Sequence, residues 1–306
     1  MFSKVQAAVD GLPRSRDAAA LAETLAEAYD ADLLLVGAYQ DPLLPFPLVV
    51  SREAHPGPHA HEALMTACRR WAPRGHTLTV PDFSPARALR RTARDRAADV
   101  LVLGSGRDIP QGRCGAGRTG RQILHGAPCA VAFAAAGLHA SSGGLRRVVV
   151  GVDAAADSHA VLGVAADLGR ATGAPVTAVA VVDDRLDVHG WPPDVVGELV
   201  DWDEIVEVRR RRMTSQLEAL IAGTDSTVRR DVLTGNPATE LYEAARDADL
   251  LVIGSRGWGM LDRIAVGSTA EALSHRAPCS LLVLPRMSSP PPKPARAPAH
   301  GAAQRS

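Results

Sequence analysis

The sequence predicts an α/β fold made of two copies of one unit, each a parallel sheet with helices on both faces. Short apolar runs alternate with stretches of helical spacing, which is the pattern of successive βαβ units. The chain also repeats itself: residues 98–105 match 248–255, and residues 125–129 match 275–279, both at an offset of 150. Its 306 residues are enough for two domains of ordinary size.

The repeat indicates where each unit begins and ends. Residues 4–10 match 147–153 at an offset of 143, so the second unit carries a few additional residues in its middle. We expect a first domain over residues 1–138 and a second domain over residues 144–286, joined by an Ala/Ser/Gly-rich stretch. A Pro/Ala-rich tail over residues 287–306 is expected to be disordered.

The second unit predicts five strands separated by four helices. The strands are expected over residues 148–152, 176–182, 227–233, 250–253 and 280–284. The helices are expected over residues 158–173, 204–222, 236–248 and 268–275. Gly173 is a natural helix C-cap, and Pro237 suits a first helical turn. The first unit has the same order. Proline-rich loops are expected over residues 41–58 and 183–203.

Composition excludes several classes of protein. Acidic and basic residues balance at 34 each, which argues against general binding to nucleic acid or to an anionic membrane. The four cysteines form no CxxC pair, so neither a zinc ribbon nor a redox dithiol is indicated. No apolar run is long enough to span a membrane, and no signal peptide is visible. We therefore expect a cytoplasmic protein with reduced thiols.

A glycine-bearing loop joins the fourth strand of the second unit to the helix that begins at residue 268. Its glycines fall as Gly254-x2-Gly257-x9-Gly267-Ser268. Glycines let backbone N–H groups approach an anion, and a helix N-terminus adds unpaired donors and partial positive charge. No Lys precedes Ser268, so the loop is not a Walker A loop. A dinucleotide GxGxxG would follow the first strand instead.

This spacing resembles that of the ATP-binding class of universal stress proteins, and the resemblance covers nearly the whole chain. Asp153 after the first strand and the Ala-Pro-Cys entry to the fifth strand, residues 277–279, fit the same family. The resemblance implies two tandem Rossmann-like domains, each a five-stranded parallel sheet of order 3-2-1-4-5. It also implies a fifth strand available for pairing across domains or between subunits, the latter giving a homo-oligomer.

The resemblance assigns roles to residues of the second unit. Backbone N–H groups of residues 254–259 would wrap the phosphates and the ribose, and residues 267–269 would hold the β- and γ-phosphates. Asp153 would lie beside the ribose, and Gly151 and Val181 would line the adenine pocket. The implied ATP-binding set is Gly151, Asp153, Val181, Ile253, Gly254, Ser255, Arg256, Gly257, Trp258, Gly259, Gly267, Ser268 and Thr269. Mg²⁺ would accompany ATP, held mostly by phosphates and water, so no protein metal site is expected.

The first unit departs from this pattern at two positions. Arg107 stands where the second unit has Gly257, and Arg118 stands where it has Ser268. The residues that remain as candidates for a first-domain site are Asp10, Gly104, Arg107, Gly117, Arg118 and Thr119. A side chain at position 107 would hinder close approach of the backbone to a phosphate. Arginines at these positions would also be able to bind phosphate directly, so both alternatives stay open.

Several of these residues also have simpler structural explanations. Asp153 suits the cap of the turn into the next helix. His125 and His275 stand in the last turn of a helix, where a histidine favours the helix C-terminus. Cys129 and Cys279 enter buried strands and are expected to be core residues rather than nucleophiles.

No catalytic constellation is visible: there is no Walker lysine, no nucleophile–His–Asp set and no pair of metal ligands. We therefore expect an ATP-binding regulatory protein of the stress response, in which nucleotide occupancy biases the arrangement of domains or subunits. One alternative is a weak ATPase or phosphotransfer enzyme of the same fold. Another is a nucleotide-free interaction protein in which the repeat serves assembly.

Overall fold

The computed structural model describes residues 2–39, 65–66, 68–140, 144–153, 158–184, 202–224, 228–255, 258–259, 263–264 and 266–285. The predicted loop over residues 41–58, nearly all of the predicted loop over residues 183–203 and the predicted tail over residues 287–306 lie outside these residues. The limits proposed for the two domains stay predictions.

The first half of the chain forms five strands joined largely by helices. Its elements are β1 (Lys4–Ala8), α1 (Pro13–Tyr29), β2 (Asp32–Tyr39), β3 (His76–Pro81), α2 (Pro85–Asp95), β4 (Val100–Gly104), α3 (Arg118–Leu124) and β5 (Ala130–Ala134). Helix α1 ends where Asp30 takes a left-handed conformation, with φ of 48°. Helix α2 is capped by Ser84, whose side chain accepts a hydrogen bond from the backbone N–H of Arg87. Local capping therefore sets these helix ends.

The second half repeats this order. Its elements are β6 (Val148–Val152), α4 (Ser158–Thr172), β7 (Val176–Val182), α5 (Trp202–Ala222), β8 (Val228–Thr234), α6 (Pro237–Ala244), β9 (Leu250–Gly254), β10 (Trp258–Gly259), β11 (Arg263–Ile264), α7 (Ser268–His275) and β12 (Ser280–Leu284). The C-cap at Gly173 is confirmed by its φ of +73°. Asn236 caps α6 through its side chain, followed by Pro237 at the first turn.

Two predictions in this half were wrong in detail. The helix expected over residues 236–248 ends at Ala244, because Arg246 and Ala248 donate to the carbonyls of Glu243 and Ala245 in tight turns. The helix expected over residues 204–222 begins at Trp202, inside the predicted loop over residues 183–203. The glycine-bearing loop contains a short antiparallel hairpin, in which Trp258–Gly259 pairs with Arg263–Ile264. Both corrections concern local hydrogen bonding and leave the order of elements unchanged.

Ten strands of the described chain form one sheet, in the order β3-β2-β1-β4-β5-β12-β9-β6-β7-β8. Each half therefore has the predicted order 3-2-1-4-5, and its neighbouring strands are parallel. The halves join through β5 and β12, which pair antiparallel with Phe133 opposite Leu281. Pairing of the fifth strands across domains is thus found within one chain.

The predicted pairing of fifth strands between subunits is wrong. Strand β5 lies between β4 and β12, and β12 lies between β9 and β5, so neither strand has an unpaired edge. The edges of the sheet are β3 and β8. A homo-oligomer of this protein would need a surface other than the fifth strands.

The central strands of the sheet are buried on both faces, as is typical of parallel sheets. Every residue of β5 and β12 is buried. One apolar cluster contains Val100 and Val150, and the cluster on the other face contains Leu101 and Val149, so each cluster runs through both halves of the chain. The Tyr29 hydroxyl of α1 donates to the backbone carbonyl of Val164 in α4, at 3.1 Å. The two domains therefore share one continuous core.

The link between the domains is fixed to α1 by a buried carboxylate. The side chain of Asp17 is 2% exposed. Its oxygens accept from the backbone N–H groups of Gly137 and His139, at 3.0 and 3.1 Å, and from His139 Nδ1 at 2.7 Å. Gly137 has φ of +82°, so the chain turns there in a way that favours glycine.

Candidate functional site

A cavity of about 220 Å³ opens at the carboxyl ends of β6, β7 and β9. In an open α/β sheet, this is where ligands bind, outside the ends of the strands at the point where strand order reverses. Eight residues of the predicted site line it: Gly151, Asp153, Val181, Gly254, Ser255, Gly267, Ser268 and Thr269. The fold thus brings together three segments of the second domain that are far apart in sequence.

One side of the cavity is apolar. Val179 and Val181 of β7 and Leu241 of α6 line it, together with Gly151. A Cβ atom at Gly151 would lie 2.9 Å from Leu241 Cδ1, so the absence of a side chain lets helix α6 pack against β6. Val179, opposite Gly151 in the register, corresponds to Val36, which lies opposite Ala8 in the first domain. The glycine on this face is therefore specific to the second domain.

Another part of the cavity lining is the N-terminus of α7. Gly267 is the N-cap residue, and as a glycine it has no side chain to cap the helix. The first N–H groups of a helix have no partner within it, and the helix dipole makes this end partly positive. Ser268 is exposed and Thr269 is half-buried, so two hydroxyl groups stand beside these donors. This combination suits an anion such as a phosphate group.

Asp153 takes the capping position expected at the end of β6 and also lines the cavity. Ser158 Oγ donates to Asp153 Oδ1 at 2.7 Å, and the Asp153 N–H donates to Ser158 Oγ at 3.3 Å. Asp10 and Ser15 make the same two bonds in the first domain. In both domains this pair of bonds therefore joins the end of the first strand to the following helix.

The remaining predicted residues of the second domain fall in different places. Ile253 is 3% exposed in β9, and its Cγ2 atom would lie 3.2 Å from a Cβ at Gly151, so it packs behind the cavity. Trp258 and Gly259 belong to the hairpin strand β10. Arg256 and Gly257 lie outside the described residues. The sequence did not predict Pro237 and Leu241 as lining residues, although their position just after β8 places them at the same edge of the sheet.

The corresponding loop of the first domain is closed on itself. The Gly106 N–H donates to the Gly115 carbonyl at 2.8 Å. A Cβ at Gly106 would lie 3.3 Å from the Cα of Gly117, so the two limbs of the loop are in contact. Helix α3 starts at Arg118, includes Thr119 and has only seven residues. Little space is left between the glycines that would surround a phosphate.

Arg14 ties down the other limb of this loop. Its Nη2 donates to the carbonyl oxygens of Ile109 and Arg107, at 2.8 and 3.3 Å. A Cβ at Gly104 would lie 2.3 Å from the carbonyl oxygen of Arg14, so the first turn of α1 lies directly on the end of β4. Arg14 was not among the predicted site residues. Its counterpart at the offset of 143 is Asp157, and this change from a basic to an acidic residue is the sequence feature that distinguishes the two domains at this position.

The histidines and cysteines have structural positions. His275 is the last residue of α7, and His125 follows the last residue of α3. Burial is the main reason that the pKa values of the Cys129 and Cys279 thiols rise to about 12, so these thiols are poor nucleophiles at neutral pH. Within the described residues, no cluster of three His, Cys, Asp or Glu is arranged to hold a metal ion. No described helix is both long and apolar enough to cross a membrane.

The chain matches the family model of the universal stress protein family twice, over residues 1–134 and 144–285. The universal stress protein Rv2005c of Mycobacterium tuberculosis is 31% identical over 156 residues, which cover 49% of this chain and 52% of that protein. The universal stress protein Mb2346c of Mycobacterium bovis is 29% identical over 195 residues, covering 61% and 64%. The chain therefore spans about half to two thirds of the length of these curated relatives.

Solved structures of low sequence identity share the fold over nearly the whole chain. A functionally unknown protein of Pseudomonas aeruginosa PAO1 has a TM-score of 0.64 at 15% identity, covering 93% of both chains. A universal stress protein of Archaeoglobus fulgidus has a TM-score of 0.58 at 15% identity, covering 93% of this chain and 98% of that one. At these identities the comparison establishes the fold alone.

Proposed function

The chain belongs to the universal stress protein family, and on that premise we propose that its second domain binds ATP as part of a regulatory, non-catalytic role in a stress response. The observation that carries the proposal is the cavity between β6, β9 and α7. It joins an apolar side, lined by Val179, Val181 and Leu241, to a helix N-terminus that bears two hydroxyl groups. Such a site suits a ligand with an aromatic base at one end and phosphates at the other.

Each part of ATP has a partner in this proposal. The adenine lies against the apolar side, where Gly151 leaves the surface of β6 without a side chain. The ribose lies near Asp153, at the end of β6. The phosphates lie at Gly267, Ser268 and Thr269, and Mg²⁺ accompanies them through phosphate oxygens and water. We place the protein in the cytoplasm, where its four buried free thiols stay reduced.

Binding without catalysis follows from the side chains around the cavity. Asp153 is held by the hydroxyl of Ser158, and the remaining lining residues named above are apolar or carry only amides and hydroxyls. Among the residues that the structure describes, no histidine or lysine lies in the cavity lining to activate a nucleophile. In the proposed mechanism, ATP changes the stability of the second domain and of its contacts, rather than undergoing reaction.

The first test is to denature the purified protein and identify any nucleotide that it releases. The second is a titration with ATP and Mg²⁺ by calorimetry, using Thr269→Val and its counterpart Thr119→Val in the first domain as a matched control. Both threonines are half-buried second residues of a short helix. Loss of one hydrogen bond to a charged phosphate costs about 1.5–3 kcal/mol, so Thr269→Val should weaken binding about 10- to 100-fold.

Thr119→Val should leave the affinity unchanged, because the first-domain loop is closed. Absence of binding by the wild type at millimolar ATP would refute the proposal and favour a nucleotide-free assembly protein. Release of ADP well above background, lost in Asp153→Ala, would instead make the protein an enzyme. Equal loss of affinity in both threonine variants would mean that the first domain binds nucleotide as well.

A further inference from the structure

Helix α7 has two ends with different neighbours. Its N-terminus, at Ser268 and Thr269, lines the cavity of the second domain. Its C-terminus, at Ser274 and His275, meets the first domain. Because the helix has eight residues and rises about 1.5 Å per residue, these ends are only about 12 Å apart. A displacement of one end therefore moves the other.

The C-terminal end is held by residues 113–116 of the first domain, which we call the clasp. The Ala116 N–H donates to the Ser274 carbonyl at 2.7 Å. Cys114 and Ala277 exchange two backbone hydrogen bonds, at 2.9 and 3.0 Å, as an isolated antiparallel bridge. The last carbonyls of a helix have no partner within it. Here the first domain supplies a donor to one of them.

Two further contacts join the first domain to α7, one at Gly115 of the clasp and one at His125. A Cβ at Gly115 would lie 2.6 Å from the carbonyl oxygen of His275, so only glycine allows this approach without a shift of backbone. Glu271, in the middle of α7, has His125 Nε2 of the first domain 3.1 Å from Oε2 and His275 Nε2 3.2 Å from Oε1. His125 at the end of α3 thus lies within ion-pair distance of the carboxylate of α7, although the geometry at Glu271 Oε2 is not that of a hydrogen bond.

Among the described residues, this contact is found in one direction only, although the domains are repeats. At the offset of 150, the clasp aligns with residues 263–266, where Arg263–Ile264 pairs with Trp258–Gly259 in the hairpin. The same offset aligns Glu271 with Arg121, so the counterpart of the His125–Glu271 pair cannot form. The contact between residues 113–116 of the first domain and α7 therefore has no counterpart among the described residues of the second domain.

We propose that the clasp, together with His125, positions α7 for phosphate binding, so that Gly115 and His125 of the first domain set the nucleotide affinity of the second domain. The affinity part rests on the proposed ATP site, whereas the effect of the clasp on the order of α7 is independent of it. The coupling is reciprocal: ATP at the N-terminus of α7 stabilises the clasp, which is how occupancy reaches the first domain. Gly115 and His125 are positioning residues, because neither lines the cavity.

The test uses the full chain with Gly115→Ala, His125→Ala and the conservative His125→Gln, which retains an N–H donor. Gln122→Ala, at an exposed position of α3, is the matched control. Hydrogen exchange of the α7 amides is measured without nucleotide, and ATP affinity is measured by calorimetry. We expect Gly115→Ala and His125→Ala to speed exchange in α7 and to weaken ATP binding about five-fold or more. His125→Gln and Gln122→Ala should resemble the wild type, and ATP should slow exchange at residues 113–117 of the wild type.

Unchanged exchange in α7 for both Gly115→Ala and His125→Ala would overturn the proposal. Faster exchange with unchanged ATP affinity would also overturn it, because the clasp would then be structural only. If the wild type binds no ATP, the proposed function fails, yet faster exchange of α7 in the two variants would still support its positioning by the clasp. The two proposals therefore fail separately.

Discussion

Replacing Asp17 by Ala should destabilise the protein more than the loss of an ordinary surface charge. The carboxylate is almost fully buried and accepts three hydrogen bonds, two of them from backbone N–H groups of the link between the domains. Arg14 Nη1 lies 4.0 Å from Asp17 Oδ2. In Asp17→Ala, the N–H groups of Gly137 and His139 lose their acceptor.

The magnitude follows from these contacts. A hydrogen bond to a charged group is worth about 1.5–3 kcal/mol, and removing one partner of a buried pair costs about 3–5 kcal/mol. The His139 side chain is 36% exposed, so water replaces part of its bond. We therefore expect Asp17→Ala to lower the free energy of unfolding by about 2–4 kcal/mol. Asp17→Asn, which keeps one acceptor oxygen, should cost about half as much.

The assay is equilibrium unfolding in urea, followed by circular dichroism. Asp167→Ala is the matched control, because Asp167 pairs with Arg170 at the same i,i+3 spacing but with its side chain 37% exposed. Exposed pairs of this kind contribute about 0.2–1 kcal/mol. An Asp17→Ala variant as stable as Asp167→Ala would show that the linker is not held by this carboxylate, and the reasoning would be refuted.

Two further predictions concern the core. Leu281 is fully buried opposite Phe133 where the domains join, so Leu281→Ala should lower the free energy of unfolding by about 2–5 kcal/mol. The whole chain should still unfold in one cooperative transition. The control Val208→Ala, at a 57% exposed position, should change the free energy of unfolding by less than about 0.5 kcal/mol. Separate transitions in a urea or calorimetric scan would contradict a shared core. Burial is the main reason that the thiol pKa values of Cys129 and Cys279 rise from 9.0 to about 12. The folded state therefore favours the neutral thiols, so their contribution to the free energy of unfolding is fully present below pH 9 and is lost as pH rises toward 12. Raising the pH from 9 to 11 should therefore lower the urea midpoint of the wild type more than that of Cys129→Ala. An equal decrease in both proteins would contradict this prediction.

Local signals in the sequence were sufficient to predict most elements. Apolar runs marked the strands, Gly173 and Asn236-Pro237 marked helix ends, and the internal repeat showed that the same order occurs twice. These features are decided by residues within a few positions of each other, through backbone conformation and capping. The sheet order came from the family resemblance and was confirmed. Eight of the residues that the resemblance implied lie together at the cavity, because the carboxyl ends of neighbouring parallel strands meet at one edge of the sheet.

The sequence left open whether the fifth strands pair within one chain or between two, because β5 and β12 have the same local properties in either case. Only the tertiary structure placed them side by side in one sheet. It alone also brought Arg14 onto the carbonyls of Arg107 and Ile109, and Ala116 onto Ser274. These contacts join residues that are distant in sequence. They depend on how helices and domains pack, which a local pattern of residues does not specify. For that reason, the sequence alone indicated the glycine-bearing loop, whereas the closure of the first-domain loop and its contacts with α7 became visible only in the folded chain.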